Sequence, residues 1–356
     1  MQRFLSRKAI GWTVAAGAAL AVLLSATMLG FLASDQSAAA RGTGVSTAQT
    51  TSTPLLTDRN PLDGTSRETA TSSRPVAIMV ENHVDARPLS GIASASLVFE
   101  APVEGGITRL LAVFDPTRTV PEIGPVRSAR PYYLDWAGEL DAMYVHVGGS
   151  PEALTKIATT GIRDLNQFFA DKYFWRATTR NAPHNVYTST VLLEKALTAR
   201  DWNTPDSFPA WNFVDADPAL AATSTSEIRI PFSSPSYAVR WRWDPVGGRY
   251  LRFVGGAAAS DRDGKRQVAA NVVVISVETA VLDDIGRLRL GSLGSGDGML
   301  FRDGFVEAIQ WKKKTASARL QFFSKQSGEE VFFRPGTTWV EVVPEDVEVT
   351  TDAVTK

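Results

Sequence analysis

Three histidines, several glutamates and several arginines fall beside glycine and proline turns between residues 80 and 190. Glu81-Asn82-His83 closes one apolar run and precedes Arg87-Pro88. Glu100 closes a second run, Glu104-Gly105-Gly106 follows it, and Arg109 opens a third. Gly124-Pro125-Val126-Arg127-Ser128-Ala129-Arg130 leads into a helical stretch. His146-Val147-Gly148-Gly149-Ser150 joins a strand to a helix, and Arg180 and Pro183-His184-Asn185 enter the next strand. Polar groups at strand ends beside glycine turns are where mixed sheets usually place their sites.

Acid–base chemistry would fall to Glu81, Glu100 and Glu104, with His146 as a further catalytic candidate. Glycoside hydrolysis needs two carboxylates about 5–10 Å apart. Glu100 and Glu104 are close enough in sequence for that, although Pro102 keeps them off one helical face. Acids balanced by arginines are equally well explained as structure. Arg127 and Arg130 sit at an expected helix N-terminus, capped by Ser128. The macrodipole there is positive, so each arginine costs a few tenths to about 1 kcal/mol. Compensation comes either from Glu81, Glu100 or Glu104 or from an anionic ligand. The ligand reading takes Arg109, Arg127, Ser128, Arg130, His83, His184 and Asn185 as contacts. His83, His146 and His184 with one glutamate would suit zinc, but no helical ligand spacing is present. No metal and no cofactor is therefore indicated. Ser128 and Ser150 lack a nucleophile-elbow pattern. Gly148-Gly149-Ser150 offers backbone N–H groups to an anion, but Glu152 places negative charge there, which favours a plain helix entry.

Strands are expected at 76–80, 97–99, 108–114, 142–147 and 185–188, with helices at 128–140, from Ser150-Pro151-Glu152 to about 160, and at 190–200. Gly161 stops the second helix. Residues 201–226, with Pro205, Pro209 and Pro218, read as a linker or surface loop. Almost pure strand follows: 240–243, 250–254, 270–277, 304–311, 318–323 and 338–343, separated mostly by glycine turns. Trp241, Trp243, Trp311 and Trp339 read as core rather than as a sugar-stacking platform. Lys312-Lys313-Lys314 reads as a solvated strand end, and the glycine-rich run 291–298 as a flexible hairpin loop.

The chain has 356 residues, room for two domains plus extras at about 150 residues each. With 37 basic against 38 acidic residues, a dedicated nucleic-acid binder is disfavoured. The absence of cysteine excludes disulfides, thiolate metal sites and lipid attachment at cysteine. Residues 9–34 carry no charge, are rich in Leu, Ala and Val, and follow Arg3, Arg7 and Lys8. About 20 apolar residues cross a bilayer, and the positive-inside rule puts the basic residues 1–8 in the cytoplasm. A cleavable signal peptide near Ala38 to Ala40 is the competing reading, although its apolar core would be long. Both readings carry the rest of the chain out of the cytoplasm. Residues 35–73, rich in Ser, Thr, Ala and Gly, read as a flexible tether.

Several motifs together resemble the YerB-like family. They are 74–82 (Arg-Pro-Val-Ala-Ile-Met-Val-Glu-Asn), 100–109 (Glu-Ala-Pro-Val-Glu-Gly-Gly-Ile-Thr-Arg), 123–131, 145–150 and 183–189. The resemblance spans roughly residues 60–345. It implies a bacterial protein of a family described as lipoproteins of unknown function, with a first domain that is a three-layer sandwich of two sheets and helices. The missing cysteine departs from the lipoprotein pattern, so a transmembrane helix would do the anchoring. No catalytic residue is implied.

The expected fold is α+β: a mixed N-terminal domain at 74–200, the linker at 201–226, a mainly-β C-terminal domain at 227–348 and a tail at 349–356, behind one transmembrane helix. The expected protein is single-pass in the bacterial cytoplasmic membrane, N-terminus inside, with the bulk of the chain outside. It binds an anionic cell-wall glycan, a peptide or an envelope protein through the Arg/Glu/His cluster. The alternatives are a cell-wall hydrolase using a glutamate pair, or an internal network with no ligand.

Overall fold

The computed structural model describes residues 59–67, 73–204, 208–215 and 223–352. The expected membrane span at 9–34, and the tether up to residue 58, lie outside them. Among the described residues no helix is long and apolar enough to cross a membrane.

Strands β1 (Val76–Glu81), β2 (Leu97–Pro102) and β3 (Thr108–Phe114) are near-continuous apolar runs, and every residue in them is buried. Such runs form central strands covered on both faces. β3 lies between β1 and β2, antiparallel to both. Helix α1 (Pro131–Gly138) precedes β4 (Met143–His146), which pairs parallel with β1. Helix α2 (Pro151–Thr160) leads to β5 (Asp164–Asn166), parallel with β4, and α3 (Thr190–Ala199) ends this half.

In the second half β6 (Glu227–Pro231), β7 (Ala238–Asp244) and β8 (Arg249–Val254) form an antiparallel sheet. Next come β9 (Asn271–Val277), β10 (Gly294–Arg302), β11 (Phe305–Lys313), β12 (Gln321–Ser324) and β13 (Thr338–Pro344). They extend the first sheet into the order β12-β11-β10-β9-β13-β2-β3-β1-β4-β5. The join is β13, parallel to both β9 and β2. Both halves of the sequence therefore contribute to one large mixed sheet.

Alternation along the strands sends side chains to two cores. Val76, Ile78, Val80 and Val98 pack with Ile228 and Trp241 of the small sheet and with Leu193 of α3. Ala77, Met79, Leu97 and Phe99 pack on the other face with Tyr133 and Trp136 of α1 and Ala153 of α2. The result is the expected α+β architecture, with the large sheet as the middle layer and a mainly-β C-terminal part.

Several expectations change. Helix α1 starts at Pro131 and its cap position is Arg130, not Ser128. The reason is that 127–129 run extended between β1 and β4: Arg127 N–H donates to Met79 O at 2.8 Å and Ala129 N–H to Gly148 O at 3.0 Å. Residues 59–67 are a packed turn rather than tether. Leu62 is buried, Asn60 Nδ2 donates to Asp115 at 2.7 Å, and Arg118 pairs with Asp63 at 2.5 Å. Within 201–226, Trp211 is buried and stacks on Phe333 at 4.6 Å. Lys313 is fully buried and donates to Glu139 at 2.7 Å, beside Arg319 on the same carboxylate, so it is no solvated strand end. The glycines from Gly294 are strand, not loop. A Cβ at Gly298 would lie 2.5 Å from Val274 O, so close strand approach requires glycine there. Trp241, Trp311 and Trp339 are core.

Candidate functional site

β1, β2 and β4 all end at the same edge of the large sheet, where β3 begins, and most of the candidate residues follow from that. Glu81 is the last residue of β1 and stands in register with Arg109 of β3. The Glu81 carboxylate is buried and accepts from Arg127 Nε at 2.8 Å. Its other oxygen contacts His184 Nδ1 at 2.7 Å. Arg127 is only a quarter exposed, and among the described residues its terminal nitrogens make no hydrogen bond. The His184 ring stacks on His83 at 5.1 Å. His83 in turn caps a short turn, accepting from Asp85 N–H at 3.2 Å.

Arg180 holds these loops together, donating to the carbonyls of Asp85 (3.1 Å) and Pro88 (2.7 Å). His184, Asp85, Arg87, Arg180, Asn181 and Arg262 help line an open cavity of about 660 Å³. Three arginines against one carboxylate make its wall cationic.

A second arginine–glutamate pair lies along the same edge. Arg130 clamps Glu104 with two hydrogen bonds, Nε at 2.6 Å and Nη2 at 2.7 Å. Burial pushes the Glu104 carboxyl up, but the Arg130 hydrogen bonds and charge outweigh that and hold it below its ordinary value. It stays ionised and is a poor proton carrier at neutral pH. Arg109 differs. It is buried, and its Nη1 donates to the Ser128 carbonyl at 2.8 Å. Its Nε is buried without a partner, and among the described residues no carboxylate accepts from it. Burial, and then the charge of Arg130, lower its pKa. Arg109, Arg127 and Arg130 face two carboxylates, Glu81 and Glu104, and Arg109 is the surplus cation.

Three expected candidates are elsewhere. Glu100 points to the opposite face, where Arg252 of the small sheet pairs with it at 2.5 Å and Asn82 and Thr108 donate to its other oxygen. Glu341 of β13 stands beside it in register and accepts from Trp241 Nε1 at 2.7 Å. Burial, and then the negative charge of Glu100, push the Glu341 carboxyl well above the ordinary glutamate range. His146 is fully buried, between Gly148 O at 2.6 Å and Asp164 at 2.5 Å. Asn185 braces a hairpin by accepting from Arg176. Ser128 contributes only its carbonyl. Gly148 N–H is taken by Asn166 Oδ1 and Ser150 caps α2, so this turn is a helix entry.

Sequence reasoning missed Asp85, Arg252, Arg262 and Glu341. Asp85 had a local signal, since it stands two residues from His83. Arg252 and Glu341 reach their partners between the two packed sheets and Arg262 reaches Glu122 and Thr179 from a distant turn, contacts that leave no trace in local spacing. His83, Asp85 and His184 each place one ligating atom within 4.8 Å of the others, which makes them, among the described residues, a group able to hold a metal ion.

Residues 62–203 match the family model described as "Protein of unknown function (DUF3048) N-terminal domain", and residues 228–340 match its C-terminal counterpart. The chain is similar to "Putative lipoprotein YerB" of Bacillus subtilis (strain 168), 32% identical over 291 residues that cover 80% of this chain and 86% of that one. It is also similar to the crystal structure of the YerB protein from Bacillus subtilis, with a TM-score of 0.73 and 30% identity, over 82% of this chain and 99% of that one. The resemblance carried by the motifs is thus borne out. With both family models matched and a relative aligned over most of both chains, this chain belongs to the DUF3048 family of YerB-like proteins.

Proposed function

We propose that the chain is an extracytoplasmic binding protein of the bacterial cell envelope that takes an anionic ligand at the edge formed by Arg109, Arg127 and Arg130. The ligand class is a cell-wall glycan, an acidic peptide or an acidic segment of an envelope protein. The observation that carries the reading is Arg109. A buried guanidinium that no carboxylate among the described residues accepts from is costly, and such a cost is commonly retained for function. Arg127 supports it, because its unpaired terminal nitrogens lie next to Glu81 at the same edge. The hydrolase reading finds no support in the glutamates. Glu81 and Glu104 are each held by an arginine, and Glu100 is sealed under the small sheet.

The test is co-sedimentation of the purified chain with isolated bacterial cell wall, with released fragments followed by mass spectrometry. Wild-type protein is expected in the pellet, weakened by salt, without fragment release. Arg127→Gln is expected to stay soluble in the supernatant while melting cooperatively within about 4 °C of wild type. Fragment release that vanishes in Glu104→Gln would replace this reading with the hydrolase. Absence of wild-type protein from the pellet would shift the ligand to a protein partner.

A further inference from the structure

We propose that His83, Asp85 and His184 bind one divalent transition-metal ion, with Glu81 positioning His184. The site stands on its own geometry and does not rest on the anion reading.

The donor set is two imidazoles and one carboxylate, which suits zinc and its borderline neighbours better than magnesium or calcium. His83 Nδ1 and Asp85 Oδ2 are 3.5 Å apart. Two ligands of a tetrahedral zinc ion, at the usual bond lengths, lie about 3.4 Å apart. This pair therefore already has the separation the ion requires. His83 Nδ1 accepts a hydrogen bond from Asp85 N–H, so it carries no proton, and its one lone pair must leave that N–H to bind the ion. The third donor comes from His184, and all three donor atoms lie within 4.8 Å of one another. Asp85 is exposed and the two imidazoles are half-buried, so small side-chain rotations suffice to close the site.

Glu81 gives the arrangement its specificity. It is buried, already held by Arg127, and accepts from His184 Nδ1. A carboxylate only accepts, so the proton sits on Nδ1 and Nε2 is left free. A ligating histidine whose second nitrogen donates to a carboxylate is the usual support for a bound transition metal. Arg180 ties the turn that carries Asp85 to the loop that carries His184, which fixes the two halves of the site against each other. Three protein ligands leave one position open on the cationic cavity, a site for water or an anion. Arg87, Arg180 and Arg262 oppose a bare cation, Asp85 is the one carboxylate lining that cavity and Glu81 is shared with Arg127, so an anion in the open position completes the charge balance.

The test titrates Zn²⁺ alone into the detergent-solubilised full-length chain, purified without a histidine tag, by calorimetry. Binding of Co²⁺ is followed by its visible spectrum. One ion per chain is expected. Asp85→Asn and His184→Ala should each weaken binding at least tenfold, and Glu81→Gln should weaken it about 10–100-fold through loss of the carboxylate that orients His184. Asp85 is exposed and leaves the core untouched, so its variant decides the matter even where His184→Ala is unstable. Absence of Zn²⁺ binding at millimolar concentration would overturn the site, as would wild-type affinity in Asp85→Asn.

Discussion

Glu81 at the end of β1 and Glu100 in β2 are both buried, and each holds an arginine. Glu100 and Arg252 are sealed between two sheets, and the arginine also donates to Gln267 and lies 4.6 Å over Trp339. Arg127, the partner of Glu81, keeps a quarter of its side chain exposed and its terminal nitrogens unpaired. What differs is the cover. The even-numbered face of β2 carries the small sheet, while the odd-numbered face of β1 runs out at an open edge. The same pair of residue types joins two layers in the first place and presents unspent donors in the second.

The contrast is tested most strongly by Arg252→Ala. It leaves Glu100 buried without its cation, next to Glu341, and is expected to cost about 3–5 kcal/mol in urea unfolding. Arg127→Gln is expected to cost about 1 kcal/mol or less, because the pair is partly solvated and His184 remains on Glu81. Equal losses in the two variants would break the comparison.

Next comes Glu341→Gln, read against pH. The folded carboxyl lies well above its ordinary value, so the folded state holds a proton that the unfolded state releases. Wild-type stability then falls as pH rises from about 4.5 towards the folded value. The variant lacks that slope. It should match wild type near pH 4 and exceed it by about 1–2 kcal/mol near pH 8. Parallel pH profiles would show that Glu341 is ionised in the folded protein.

A comparably small effect belongs to the Arg130–Glu104 pair. Glu104 has its folded pKa lowered, so its contribution is present above about 4.5 and lost as pH falls below that value. Glu104→Gln should cost about 1 kcal/mol at neutral pH, and the gap to wild type should shrink in acid.

Local chemistry made much of this legible. Ser150-Pro151-Glu152 announced α2 because cap, proline and acid act within one turn, and Gly161 ended it in a left-handed conformation. The apolar runs of β1 to β3 and the pairing of Arg127 and Arg130 with nearby glutamates were also readable. The partners of Glu100 and Lys313 were not, because they come from a facing sheet and from the end of α1, brought together only by packing. Arg252 lies 152 residues from Glu100 and Glu139 lies 174 from Lys313. Ser128 misled because its neighbours Arg127 and Ala129 are held extended by backbone bonds to Met79 and Gly148, which delays the helix to Pro131. The sequence separated His83 from His184 by 101 positions, and only the fold of their loops brings the rings together.

Arg109→Met is the most direct single test of the open edge as a binding site. Unfolding in urea and binding to isolated cell wall are measured on the same preparation. A cation retained for a ligand predicts unchanged stability, or a gain of up to about 1–2 kcal/mol, together with lost binding. A stability loss above about 3 kcal/mol would contradict it and make Arg109 part of the internal network.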